Sequence, residues 1–497
     1  MAIAGKPEPE PASSAEVYAI YGVEPEIQAY AMAKYSRSAL SLKESLREIS
    51  GQRAEKFLQT FYFQYGHRSI ADLAHLAFAL ERLSLLAAIA VVDEQRWDGQ
   101  ERSTRYQDFS HPDYYLPPLA GDRGLQRLYR ETIEFLFSEY RDLSAAMFER
   151  LSARTPRPPE MKPEAYERTL RARAFDIARY LLPLATNTSL GQIVSARTLE
   201  SQISRLLSSR FSELRDLGEK LKAAAKNAAY IPDGGTKEVR PAPTLMKYAE
   251  PSAYQRESRQ ELENAARQVM GEVPIAEAPA VDLLDDDPVE IELAATLLYE
   301  HCSCPYRQIR ERVLALDARE RQGLVELGIK HRGKHDELLR AYYSGGKFRF
   351  DILMDIGGFR DMHRHRRCIQ IGQEFVLAHG FATPPDVAGS PFAGRYAAAM
   401  QRAAEAARQL AAGLSQPGAE PREAQYLLPL AYRKRTLFKM DFAEAVYITE
   451  LRTAPAGHFS YRQIAWQMYQ EVARRHPALA GCFRVHDPKE PWDLLQR

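Results

Sequence analysis

The chain has 497 residues, with 67 lysines and arginines against 66 aspartates and glutamates, 45% apolar residues and 27% charged ones. That length allows roughly two to four domains with cores of their own. The near-zero net charge excludes a general nucleic-acid binder, no apolar run is long enough to span a bilayer, and four cysteines are too few for a disulfide framework; a cytoplasmic protein with no membrane partner is expected.

Met1 to about residue 14 is rich in Pro, Glu and Ala without an apolar stretch, so it reads as a disordered lead-in and not a signal peptide. Helical stretches follow at Glu26–Ser36 and Ser41–Tyr65. Ile70–Val92 is dense in Leu, Ala and Ile; it fits a buried helix followed by a strand, or one longer helix, and apolar density does not separate the two. Gln100-Glu101-Arg102-Ser103-Thr104-Arg105-Tyr106 then puts a carboxylate, hydroxyls and two guanidiniums in one short run. Thr198–Ala225 reads as a single amphipathic helix, with Leu199, Ile203, Leu206, Leu207, Leu214, Leu217 and Leu221 on one face. Ile231–Pro288 opens on the turn signal Pro232-Asp233-Gly234-Gly235 and ends in Asp285-Asp286-Asp287-Pro288. It reads as a linker wrapping the surface with one helix at Ser258–Val269; disorder is the alternative for its first part. Beyond it, helices are expected at Glu290–Tyr299, Asp317–Leu327, Arg395–Leu414, Phe442–Leu451 and Ser460–Arg474, and a strand at Phe348–Met354. His363-Arg364-His365-Arg366-Arg367 is the second dense run of charge. Buried charges must be paired, so runs of this kind mark either a site or a solvated basic face. Cys302 and Cys304 beside His301 do not have the spacing of a common zinc site, and ordinary thiols with no metal are expected.

The sequence repeats itself. Ala178-Arg179-Tyr180-Leu181-Leu182-Pro183-Leu184-Ala185 recurs as Ala424-Gln425-Tyr426-Leu427-Leu428-Pro429-Leu430-Ala431, with seven of eight positions identical. Gly66-His67-Arg68-Ser69 lines up with Gly333-Lys334-His335-Asp336. Order is kept while loop lengths change. The chain therefore reads as two tandem copies, about 15–230 and 289–497, joined by the linker 231–288. Each is a mixed α/β unit, helix-rich with a central sheet.

The two charged runs resemble halves of one signature, the R-H-R-x-x-S-x-N-E-x-S-x-R-Y motif of flavin-dependent thymidylate synthases. Gln100 to Tyr106 matches its second half, with Gln100 where the family has Asn. The R-H-R positions before it hold Asp93, Glu94 and Gln95. Arg364-His365-Arg366 supplies R-H-R intact, but Ile369 to Leu377 lacks what should follow. Each copy keeps the half that the other lost. The resemblance also puts a strand near Leu76–Leu83 with a helix next.

What the resemblance implies is an enzyme with FAD as cofactor and NADPH and methylenetetrahydrofolate as co-substrates. It would transfer a one-carbon group to C5 of dUMP. No protein nucleophile is needed, because the flavin carries the hard chemistry. Phosphates call for forked guanidinium contacts. Arg364, His365, Arg366, Arg452, His458 and Ser69 match flavin-binding positions; Ser69 also reads as a cap for the helix starting at Ile70. Gln100, Glu101, Ser103, Arg105 and Arg197 match nucleotide-binding positions, and Arg462 falls near the pyrimidine N3 as the catalytic candidate. Family sites form between subunits of a homotetramer, so a homodimer of this chain would mimic that assembly, with composite sites built from both copies. The competing readings are a flavin- or nucleotide-binding paralogue acting on another pyrimidine substrate, and a non-catalytic scaffold.

Overall fold

This computed structural model describes residues 22–34, 41–48, 68–231, 238–271, 273–284, 289–333, 339–342, 348–415 and 420–490, with 18, 20 and 495. They fall into two compact units: residues within 1–76, 195–197 and 224–246, and residues within 77–194, 198–223 and 247–497.

The smaller unit contains the helices Pro25–Ala33 and Leu42–Glu48 and the 3-10 turn Arg68–Leu73. Glu26 is buried because its carboxylate accepts from the backbone N–H groups of Thr244 and Leu245, at 2.7 and 2.6 Å. The expected helices Glu26–Ser36 and Ser41–Tyr65 run out of the described residues beyond Lys34 and Glu48. The expected disordered start, Gly66-His67, the turn Pro232–Gly235 and Lys334-His335-Asp336 also lie outside them.

The described residues form two sheets. β1 (His75–Ser84), β2 (Asp98–Glu101) and β3 (Asn187–Ser195) are ordered β1-β3-β2. β4 (Val281–Leu283), β5 (Phe348–Asp355), β6 (Ile369–Gly372) and β7 (Arg433–Met440) are ordered β4-β5-β7-β6 and pair antiparallel. Neither reading of apolar density over Ile70–Val92 holds: the segment is a strand followed by a helix, the order that the family resemblance put there. Ser84 is extended and its Oγ accepts from Ala87 N at 2.9 Å, so it caps the buried helix Leu85–Val91. The helices expected in the second copy form within a residue or two of their limits: Val289–Tyr299, Ala318–Leu327, Ala393–Gly413, Phe442–Thr453 and Phe459–Arg475. The fold is helix-rich mixed α/β.

Two expectations need correction. Thr198–Ala225 is two helices, Ala196–Leu207 and Ser212–Lys226. Ser208 Oγ donates to Ser204 O at 2.7 Å, and Ser209 turns back so that its Oγ accepts from Phe211 N, which breaks the run where the Leu spacing continues. The segment read as a surface linker carries the longer helix Ala253–Met270, capped by Ser252, and part of it is buried. Val281–Leu283 is a buried edge strand on β5.

The repeated landmarks organise the core by pairing with each other. Leu184 N donates to Leu428 O and Leu430 N to Leu182 O, both at 2.9 Å; Ala185 N donates to Tyr426 O and Ala431 N to Tyr180 O. Each bond has its mirror, as across a two-fold axis. The symmetry spreads outward. Leu85 N donates to Thr186 O as Ile356 N does to Tyr432 O, and Tyr129 OH donates to Tyr115 O as Tyr396 OH does to Ala382 O. The long helices Arg123–Arg154 and Ala393–Gly413 pack over this centre in one continuous apolar core, which also takes residues of the helix Pro163–Ala178.

Candidate functional site

Both charged runs lie in the larger unit, and Glu101 of the first pairs with Arg360, three residues before the second. β2 ends at Glu101, and Arg102 N donates to Ser189 O on β3 at 2.9 Å, so the following turn stays at the sheet edge. From the other copy, Asp355 ends β5 and caps the helix Ile356–Met362, accepting from Gly358 N at 2.6 Å. That helix delivers Arg360 and Asp361 on its last turn and Arg364–Arg366 just beyond. The Arg360 guanidinium grips the Glu101 carboxylate, and its Nη1 donates to Thr104 Oγ1 at 3.0 Å.

Asp176, on the helix Pro163–Ala178, is the pivot. Its Oδ1 takes Arg105 Nε at 3.0 Å and Arg179 Nε at 3.2 Å, and its Oδ2 lies 3.0 Å from His458 Nδ1. Burial works against ionising this carboxyl, but His458, Arg179 and Arg105 prevail and hold it far below its usual range. His458 Nε2 lies 2.9 Å from Tyr180 OH, which donates to Asp355 Oδ1 at 2.7 Å; Ser460 Oγ donates to the other oxygen of Asp355. Both imidazole nitrogens are thus engaged by protein groups. Burial pushes the His458 pKa down, with Asp176 opposing. Arg105 also donates to Tyr461 OH at 3.1 Å and to Ala456 O at 3.4 Å, so a guanidinium from the first copy is locked into the second.

The other expected residues are placed as follows. Gln100 is exposed on β2, and Ser103 Oγ accepts from Arg105 N at 3.2 Å. Arg364 is exposed. His365 is buried, its Nε2 accepting from Arg452 Nε at 2.8 Å. Burial first, then Arg452, lowers its pKa to about 3, so it is neutral. Arg452 donates as well to Asp361 O at 2.6 Å. Arg366 lies over the Trp97 ring at 4.4 Å. Arg462 is buried and donates Nε to Thr453 O at 3.0 Å. Arg197 belongs to the smaller unit, where it pairs with Asp72 at 3.1 Å. The Ser69 side chain lies outside the described residues.

Asp93, Glu94 and Gln95 border a small cleft, with room for about one water, that is also lined by Arg340, His363 and Arg366. Asp93 accepts from Arg340 Nη1 at 2.5 Å and Glu94 from Arg205 Nε at 2.9 Å. Among the described residues, no group of three or more His, Cys, Asp or Glu could hold a metal ion. Cys302 and Cys304 are free thiols. No helix among the described residues is long and apolar enough to cross a membrane.

A family profile described as thymidylate synthase complementing protein matches residues 20–229 and again residues 281–478. The chain belongs to that family. It is a tandem, divergent duplication of the flavin-dependent thymidylate synthase unit. Two relatives extend over nearly the whole chain: a UPF0159 protein of Chlamydia muridarum, 28% identical over 95% of this chain and 92% of its own length, and UPF0159 protein Ta1429 of Thermoplasma acidophilum, 26% identical over 92% and 94%. A flavin-dependent thymidylate synthase of Nitratidesulfovibrio vulgaris is 26% identical over 31% of this chain and 55% of its own. Thymidylate synthase X from Helicobacter pylori, solved with FAD and dUMP, aligns with 45% of this chain and 94% of its own at 16% identity and a TM-score of 0.29.

Sequence reasoning did not single out Asp176, Arg179, Arg360, Asp361 or Tyr461. One signal was present. Arg179 is the single position at which the repeated landmark differs, where the second copy has Gln425. A lone difference in an otherwise identical pair marks where the copies part chemically.

Proposed function

We propose that this chain is an FAD-dependent thymidylate-synthase-like enzyme. It would move a one-carbon group from methylenetetrahydrofolate to C5 of dUMP with NADPH as reductant, at a composite site built from both copies. The observation that carries this reading is that Glu101 of one copy pairs with Arg360 of the other, and Arg105 of the first with Tyr461 OH and Ala456 O of the second. A solvated basic face would not bury these groups or pair them across the repeat.

The donor set fits a flavin nucleotide. Arg364 is exposed, and Arg366 has a buried Nε with no hydrogen-bond partner among the described residues, so both have guanidinium capacity for a diphosphate. Arg364, Arg366 and Arg452 would hold the cofactor, with neutral His365 fixing Arg452, and Ser69 and His458 as further candidates. Bound FAD supplies the electron and hydride chemistry. The chain's part is to bind and orient. Arg105, held by Asp176, Tyr461 and Ala456 O, is the candidate for a nucleotide phosphate, Ser103 accepts from the backbone N–H of Arg105, and Gln100, Glu101 and Arg197 are the remaining nucleotide-binding candidates. Arg462, anchored on Thr453 O, is the candidate for the pyrimidine edge. In a homodimer, two such sites would reproduce a homotetramer's architecture.

A second reading, a scaffold that kept the fold and lost the chemistry, is favoured by one feature. Arg105 and Arg179 are already paired with Asp176, and Arg360 with Glu101. The visible spectrum of the purified protein, titrated with FAD and then with dUMP, separates the two. A bound flavin whose absorbance shifts when dUMP is added supports the enzyme. No flavin uptake under any loading condition leaves the scaffold.

A further inference from the structure

The two-fold relation of the copies generates a second place equivalent to the site above, and its chemistry is inverted. β2 meets β3 with Glu101 opposite Leu190, and β6 meets β7 with Gly372 opposite Thr436, so Gly372 stands where Glu101 would be. A side chain at Gly372 would come within 3.0 Å of Lys434 Nζ, whose ammonium fills that space and donates to Gln373 O. Asp176 precedes Arg179 by three residues, and Arg422 precedes Gln425 by three in the second landmark. A guanidinium therefore replaces the pivot carboxylate, and an amide replaces Arg179. Phe211, packed edge-on against Tyr426, stands where His458 packs against Tyr180. Where Arg364-His365-Arg366 would be, the chain has Asp93-Glu94-Gln95.

Each of these inverted charges is met from within. Arg340 donates to Asp93, at 2.5 Å to its carboxylate and 2.9 Å to its carbonyl, and Arg205 donates to Glu94 through two nitrogens at 2.9 and 2.7 Å. Arg422 is taken by Glu374 at 2.5 Å and by Glu263 at 3.3 Å, and Glu263 also takes Arg210 at 2.7 Å. Glu263 lies on Ala253–Met270, the helix between the copies, and only about 14% of its side chain is exposed. In the first place, six guanidiniums (Arg105, Arg179, Arg360, Arg364, Arg366, Arg452) stand against four carboxylates (Glu101, Asp176, Asp361 and, near Arg366, Asp98), an excess that receives an anion. In the second, Arg340 and Arg205 are paired with Asp93 and Glu94, and Arg210 and Arg422 with Glu263 and Glu374.

We infer that each chain binds one set of anionic nucleotide ligands, and that the equivalent second place is plugged by the chain itself, with the Glu263 carboxylate of the inter-copy helix occupying the guanidiniums of Arg210 and Arg422. This rests on the proposed function for the identity of the ligand but not for the plug. Titration calorimetry of the full chain with FAD and with dUMP is expected to give one of each per chain; two of either overturns the inference. If neither binds, the proposed function falls, and the plug is still tested with pyrophosphate as the probe. Removing the carboxylate in Glu263→Ala, or in the isosteric Glu263→Gln if the first does not fold, leaves Arg210 and Arg422 open to an anion. Saturating pyrophosphate should then raise the unfolding temperature of the variant by roughly 2 °C more than it raises that of the wild type. Equal shifts would show that Glu263 holds no anion site closed.

Discussion

At the residue scale, the site hangs on Asp176. One buried carboxylate gathers Arg105, Arg179 and His458, and removing it strands two guanidiniums in a low-dielectric interior. Breaking a buried pair by deleting one partner typically costs 3–5 kcal/mol, so Asp176→Asn should lower stability by about 3 kcal/mol in urea denaturation; a loss below about 1 kcal/mol would mean the carboxylate is not the anchor described. His365 makes a second prediction. Burial lowers its pKa to about 3, from the ordinary 6.5. The unfolded chain therefore takes up a proton there first as pH falls below 6.5. The stability this group contributes is complete above 6.5 and is lost on the way towards pH 3. Asp176, held low in the folded chain, adds to the loss below its ordinary value of 3.8. Urea midpoints should fall steadily between pH 6.5 and 4, and His365→Gln should flatten that slope by up to about 1.4 kcal/mol per pH unit. A wild-type profile flat over that range contradicts the neutral, buried assignment.

At the element scale, the copies solve one capping problem with opposite polarity. In the first copy the helix cap is Ser84, which donates its hydroxyl to Glu213 at 2.7 Å, and Tyr426 OH donates to the same carboxylate at 2.8 Å. In the second the cap is the carboxylate, Asp355, and the hydroxyl partner is Ser460, with Tyr180 donating from the other copy. Hydroxyl and carboxylate have changed places while the three-way bond survives. Burial raises the pKa of Glu213, so that carboxylate depends on its donors. A double-mutant cycle on Ser84→Ala and Glu213→Gln should show a coupling of about 1–2 kcal/mol, since a hydrogen bond to a charged group is worth about 1.5–3 kcal/mol. Additive effects would mean that the two groups act separately. The broken run Thr198–Ala225 belongs here too. Its leucine spacing reads as one helix, but Glu213 can reach Ser84 only from the start of a second one.

At the scale of the whole molecule, the copies are not beads on a string. The landmarks exchange backbone hydrogen bonds, and the helices Arg123–Arg154 and Ala393–Gly413 share one apolar core. A fragment of residues 247–497 would expose the landmark edge and that core face, so it should aggregate when expressed alone and become soluble when co-expressed with residues 1–246. A fragment that is monomeric and cooperatively folded by itself would contradict this interlocking.

The amino-acid sequence carries the duplication, the helix-rich mixed α/β class, most second-copy elements and the two charged half-motifs, because these are written in local spacing and in near-identical words. It did not show Asp176, Arg360 or Tyr461 as partners of the motif, since each reaches the site from a different element and has no local signature. It also misread the end of the inter-copy segment, because three residues are too short a run to reveal a strand whose hydrogen bonds come from β5. Which groups the motif residues pair with is set only in the folded chain. Charge pairing is set by distance across the fold, and the pairing of the landmarks brings Glu101 to Arg360 while handing Asp93 and Glu94 to Arg340 and Arg205.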